Sequence, residues 1–240
     1  MNKIGVLYRG EILRMWKYGI SGASLVTALI WMAVLRFAAA GSMTALFPLL
    51  IFVDSTVMSL LLIGVTIIFE NQEDSFKSLM VSPISKDEYL ISKTLAVVTS
   101  SVIALVLLLL YGILVGNLEI NILAIFGAVV LVAFTFAQVG TMMTYYAKDF
   151  TDLLMSMFKF AIVFTVPTLL ESLNVLRGDW VRIIQYLNPT KSALVLLAAA
   201  TEPVDAKDLA ISLVYLLVLS GGLYALSRKL FERYVARGGA

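Results

Sequence analysis

The chain contains no cysteine and no histidine. Disulfides and thiol chemistry are therefore excluded, and the common zinc ligand sets go with them. Charge is also scarce. Asp, Glu, Lys and Arg make up 14% of the residues, where a soluble domain carries about 25%. The formal net charge of +2 is too small to argue for a nucleic-acid partner. No GxxxxGK[ST] phosphate loop is present, so ATP has no ordinary site here, and no Ser/His constellation supports an enzyme.

What fills the space is apolar. Hydrophobic residues make up 60% of the 240 positions. A helix needs about 20 apolar residues to cross ~30 Å of hydrocarbon. Six segments qualify or nearly do: 18–39, 48–69, 94–115, 122–145, 153–173 and 207–227. The expected fold is an all-α membrane protein forming a single polytopic domain over 1–240. Basic residues gather before the first span (Lys3, Arg9, Arg14, Lys17), between the second and third (Lys77, Lys86, Lys93) and after the sixth (Arg228, Lys229, Arg233, Arg237). By the positive-inside rule both termini face the cytoplasm, and the protein is expected in a prokaryotic inner membrane. Ala38, Ala39 and Ala40 resemble a cleavage site, but ~20 preceding apolar residues exceed a signal core, so the first span reads as an anchor.

Residues 1–17 read as an amphipathic helix lying in the membrane interface. Ile4, Tyr8, Ile12, Met15 and Trp16 share one side, with Lys3, Arg14 and Lys17 turned toward lipid phosphates. A polar island, Phe69 to Lys93, separates spans two and three. Asn71 can cap a short helix over 71–82, with Phe76, Leu79 and Met80 on one face and Glu73, Asp74 and Lys77 on the other. Pro83 stops it and restricts Ser82. Ser85 and Glu88 form a capping box that starts the next helix.

Between spans five and six, residues 179–200 give two helical patterns too short to cross, read as outer re-entrant helices. Asn188-Pro189 divides them, and Thr190 can cap the second. Within the hydrocarbon, Asp54 lies about six residues into span two, or ~9 Å at 1.5 Å per residue. Arg36 lies near the outer end of span one, so an Arg36–Asp54 ion pair is the expected arrangement, with substrate contact by Asp54 as the alternative. Lys159 is placed to snorkel. Gln138, Thr135, Thr141 and Thr144 are expected to hydrogen-bond between helices.

The stretch EDSFKSLMVSPISKDEYLISK resembles the corresponding loop of type 2 ATP-binding-cassette exporter permeases through Glu73, Leu79, Val81, Ser82, Pro83, Ile84, Ser85, Glu88, Tyr89 and Lys93. Asp74-Ser75 replaces the family's Gly-Thr, and Phe76 its Leu. Leu187-Asn188-Pro189-Thr190 is similar to the family's segment before the last span. The resemblance covers essentially the whole chain. It implies that residues 1–17 are a connecting helix and 71–82 a coupling helix. Glu73, Phe76, Lys77, Leu79, Met80, Ser82 and Pro83 would then contact a separate ATPase. It further implies two permease chains, as a homodimer, with two ATPase subunits that carry the ATP and magnesium, none being held by this chain. The implied cargo is a small amphiphilic drug, antibiotic or lipid. Two other classes compete: an ion-coupled secondary transporter using Asp54, and a non-transporting immunity or sensor subunit. The first leaves the stiff polar loop unexplained, and demonstrated substrate movement would discriminate against the second.

Overall fold

The computed structural model describes residues 3–37, 43–73, 84–116, 118–173, 175–176, 178 and 183–236. No strand occurs among them. An N-terminal helix, Lys3–Lys17, precedes six helices long and apolar enough to cross a membrane: Ile20–Phe37, Thr44–Gln72, Lys86–Val115, Ile122–Tyr146, Phe150–Ser172 and Ala206–Val235. A shorter helix, Pro189–Ala198, lies before the last span. The third and sixth spans belong to helices of 31 residues each, so both extend well past ~30 Å of hydrocarbon.

Local chemistry sets the boundaries. Gly19 adopts φ 72°, a left-handed conformation that costs glycine little, and makes the elbow between the N-terminal helix and the first span. Asn121 caps the fourth span by accepting from the Ala124 N–H at 3.1 Å, and Asp149 caps the fifth by accepting from the Asp152 N–H at 2.7 Å. The capping box forms reciprocally: the Glu88 N–H donates to Ser85 Oγ at 3.2 Å, and the Ser85 N–H to Glu88 Oε2 at 2.7 Å. Leu118 folds back so that its N–H donates to the Gly112 carbonyl at 3.1 Å, a turn at the end of the third span.

Two spans contain a π-helical turn, Asp54–Met58 in the second and Ala161–Thr165 in the fifth. In the fifth the cause is visible. Pro167 has no N–H to donate and its ring crowds the preceding turn, so the chain widens by one residue just before it.

The second span is the centre of the bundle. Two-thirds of its apolar window (67%) is buried, against 22% for the first and fifth and 17% for the sixth. Its closest neighbour is the fourth. A Cβ built on Gly140 would sit 2.6 Å from the Leu60 carbonyl oxygen and 2.5 Å from Ile63, so only glycine permits this approach. Gln138 Nε2 donates to Thr94 Oγ1 at 3.0 Å across the fourth and third spans. Thr135, Thr141 and Thr144 do not bridge helices as expected; each donates to the carbonyl four residues earlier in its own helix.

Candidate functional site

Both ends of the polar island converge on one buried ring of charges near the chain termini. Glu70 is 0% exposed and lies in the last turn of the second span. Lys93, in the third span, donates to Glu70 Oε2 at 2.8 Å and to Glu11 Oε2 at 3.1 Å. Arg14 bridges the remaining oxygens, Glu70 Oε1 and, at 3.2 Å, Glu11 Oε1. Tyr89 adds its hydroxyl to Glu70 Oε2 at 2.7 Å. Two carboxylates thus meet two cations, and all four carboxylate oxygens are engaged. A lone charge at this burial is very unfavourable, whereas a balanced, fully hydrogen-bonded set can persist.

The ring joins the N-terminal helix to the strip of chain on each side of the island. Further contacts brace the same level. The Glu73 carboxylate beside the Tyr18 hydroxyl pushes the Tyr18 pKa up. Asn71 donates to the Tyr234 hydroxyl of the sixth helix. That helix also grips the start of the third: Arg228 pairs with Asp87 at 3.1 Å, Tyr224 donates to Asp87 at 2.8 Å, and Lys86 pairs with Glu232. These contacts tie the N-terminal helix to spans two, three and six at one level.

The chain matches the fluoroquinolones export permease protein family over residues 2–238. It belongs to that family. The fold and the family place it among export permeases of the type 2 ATP-binding-cassette class. Two proteins named fluoroquinolones export permease protein, from Mycobacterium tuberculosis strains CDC 1551 / Oshkosh and ATCC 25618 / H37Rv, are each 27% identical over 218 residues. The alignment takes in 90% of this permease and 89% of each relative.

Of the residues expected to meet an ATPase, Glu73 is exposed at the end of the second span. Phe76, Lys77, Leu79, Met80, Ser82 and Pro83 lie outside the described residues, as does most of the expected coupling helix. Asn71, expected at the start of that helix, falls within the second span, which continues to Gln72, and its side chain donates to the Tyr234 hydroxyl.

The permease does not make the expected Arg36–Asp54 pair. Arg36 is exposed in the last turn of the first span, while Asp54 is 2% exposed and its Oδ1 has no hydrogen-bond partner. The second span begins at Thr44 rather than 48, so Asp54 lies ten residues in, about 15 Å from its end rather than ~9 Å. At that depth the neighbour on the first span is Trp31, not Arg36.

Arg14 is a second correction. It points into the protein, not toward lipid phosphates, and Met15 is fully buried while Trp16 is 57% exposed. The buried face of the N-terminal helix is therefore Tyr8, Glu11, Ile12 and Met15, with Tyr8 hydrogen-bonded to Thr99 at 2.9 Å. The sequence carried a signal for this ring. Glu11 sits at i+3 from Tyr8 and i−4 from Met15, a carboxylate on an apolar stripe, and such a residue needs a buried cation.

Asn188 and Pro189 occupy the far end of the bundle. Asn188, not Thr190, is the cap of the Pro189–Ala198 helix, with Pro189 in the first turn where its missing N–H is harmless. Asn188 Oδ1 accepts from the Thr190 N–H at 3.0 Å. Its Nδ2 donates to the Phe164 carbonyl at 2.9 Å and to Gln185 Oε1 at 2.7 Å. The Thr190 hydroxyl donates to the same Phe164 carbonyl at 2.8 Å. The start of the short helix thus satisfies the Phe164 carbonyl of the π-helical turn in the fifth span.

Proposed function

We propose that this permease is the membrane subunit of an ATP-driven exporter that moves small amphiphilic drugs out of the cytoplasm, hydrolysis being carried out on a separate ATPase chain. Family membership supports the reading, and the relatives' names point to fluoroquinolones as the first compounds to try. The observation that carries it is the charge ring at the base of the polar island, which gives a docked protein a stiff purchase on three spans and the N-terminal helix. On this reading the termini and the island are cytoplasmic and the Pro189–Ala198 helix is outer. Two permease chains assemble with two ATPase subunits. Nucleotide-driven closure of the ATPases displaces the segment around Phe76 and Leu79, and the ring passes that displacement to the spans. ATP biases a two-state membrane domain, so no reactive side chain is required here.

The test is co-expression with an ATP-binding-cassette ATPase subunit from the same genome. The complex should purify intact, and its ATP hydrolysis should rise on addition of a fluoroquinolone. Phe76→Asp with Leu79→Asp should release the ATPase from a permease that still elutes as a folded species. If the double variant retains its ATPase, the docking assignment is wrong.

A further inference from the structure

A second polar site lies at the far end, unrelated to the charge ring. It is a cavity of about 350 Å³ between the end of the fifth span, the Pro189–Ala198 helix and the start of the sixth span. That is near the lower end of small-ligand pockets, about 300–1,000 Å³. Glu171 lines it and pairs through Oε1 with Lys191 at 2.8 Å, but Oε2 is buried without a hydrogen-bond partner. Ser192 and Ser212 also line it, 4% and 6% exposed. Neither hydroxyl hydrogen-bonds to a described residue, although serines in helices commonly satisfy themselves on their own backbone. Tyr186 closes one side with its hydroxyl on Asp208 Oδ1 at 2.9 Å.

We propose that this cavity binds a protonated amine, with Glu171 Oε2 as counter-ion and the Ser192 and Ser212 hydroxyls as further acceptors. A carboxylate oxygen only accepts, so the missing partner must donate, and an ammonium has three N–H donors to match three unmet oxygens. A divalent cation needs several anionic oxygen ligands, and no group of three His, Cys, Asp or Glu that could hold one occurs among the described residues. An anion would face two carboxylates, Glu171 and Asp208, against the one lysine, Lys191, among the described residues that line the cavity. The side of the membrane follows from the reading above; the chemistry of the cavity does not depend on it. Two sources carry this group: the amine of an exported compound and the headgroup of an ethanolamine lipid.

The experiment uses the purified full-length permease in nanodiscs, titrated calorimetrically with 2-phenylethylamine, a primary amine protonated at pH 7 and so carrying three N–H donors, and with its neutral N-acetyl derivative. The protonated probe should bind saturably and at least about tenfold more tightly than the neutral one. Glu171→Gln should remove that preference, and Glu171→Asp should retain part of it. Ser192→Ala with Ser212→Ala, which leaves the Glu171–Lys191 pair intact, should weaken the protonated probe several-fold in case Glu171→Gln unfolds. Discs of phosphatidylethanolamine and of phosphatidylglycerol separate the sources: weaker probe binding in the former identifies the lipid headgroup as the competitor, and equal binding identifies a soluble amine. Equal affinity for the two probes, no binding of either, or a preference untouched in both the Glu171→Gln and the serine variants would overturn the proposal. Binding needs neither ATPase nor transport, so a permease that binds the amine but exports nothing would sink the exporter reading alone.

Discussion

The two ends of the bundle are fastened by opposite means. Near the termini, full charges are buried in a ring that spans 82 residues of sequence from Glu11 to Lys93. At the far end the Asn188 cluster uses neutral amides, hydroxyls and a backbone carbonyl, and its members lie within 26 residues. A neutral hydrogen bond lost in a polar cluster costs about 1 kcal/mol, while an orphaned buried charge costs several. The contrast teaches where motion is affordable. The far end can rearrange by exchanging modest hydrogen bonds, whereas the terminal end must move as one piece or not at all.

Breaking the ring is the harshest test of that contrast. Lys93→Met leaves Glu11 and Glu70 with Arg14 as the ring's remaining cation and should cost about 3–5 kcal/mol, seen as loss of folded material or a large fall in melting temperature in detergent. Glu70→Gln added to Lys93→Met should be less damaging than the two effects summed. Strict additivity would mean that the ring is not a unit. Next in size is the glycine contact between the second and fourth spans. Gly140→Val places atoms against the Leu60 backbone and should destabilise by about 1–3 kcal/mol, whatever the state of the charges. At the far end Asn188→Ala removes a cap and bonds to Phe164 and Gln185, and should cost about 1–2 kcal/mol by the same melting assay. If it matched Lys93→Met, the two ends would not differ in kind. Smallest is Arg36→Gln: the residue is exposed and unpaired with Asp54, so the melting temperature should shift by no more than ~0.5 kcal/mol equivalent.

Most of the fold was legible because hydrocarbon imposes a simple length rule, and all six spans obey it. Their ends were less legible. The third starts early, at Lys86, because polar residues at a helix end carry no apolar signal. The second starts at Thr44 because Pro48 lies inside the helix and not at its first turn, and that shift moved Asp54 past Arg36. The capping box at Ser85 and Glu88 was readable because its chemistry is local. The charge ring was not, because Glu11, Glu70 and Lys93 are joined only by the packing of three helices. Its one local trace was Glu11 on the apolar stripe of the N-terminal helix. The Asn188 cap had a local signal too: proline favours the first helical position, so Pro189 puts the cap at Asn188 and leaves Thr190 inside the helix.

The ring also dictates an order of events during synthesis. Glu11 and Arg14 leave the ribosome first and Glu70 follows 56 residues after Arg14, but Lys93 is still to come. Until the third span has entered the membrane, two acids face one base, and the N-terminal helix has no complete seat. The N-terminal helix is therefore made before the spans it packs against and seated only when the third of them arrives. A chain interrupted before Lys93 should leave that helix open to protease, and one released just beyond the third span should protect it.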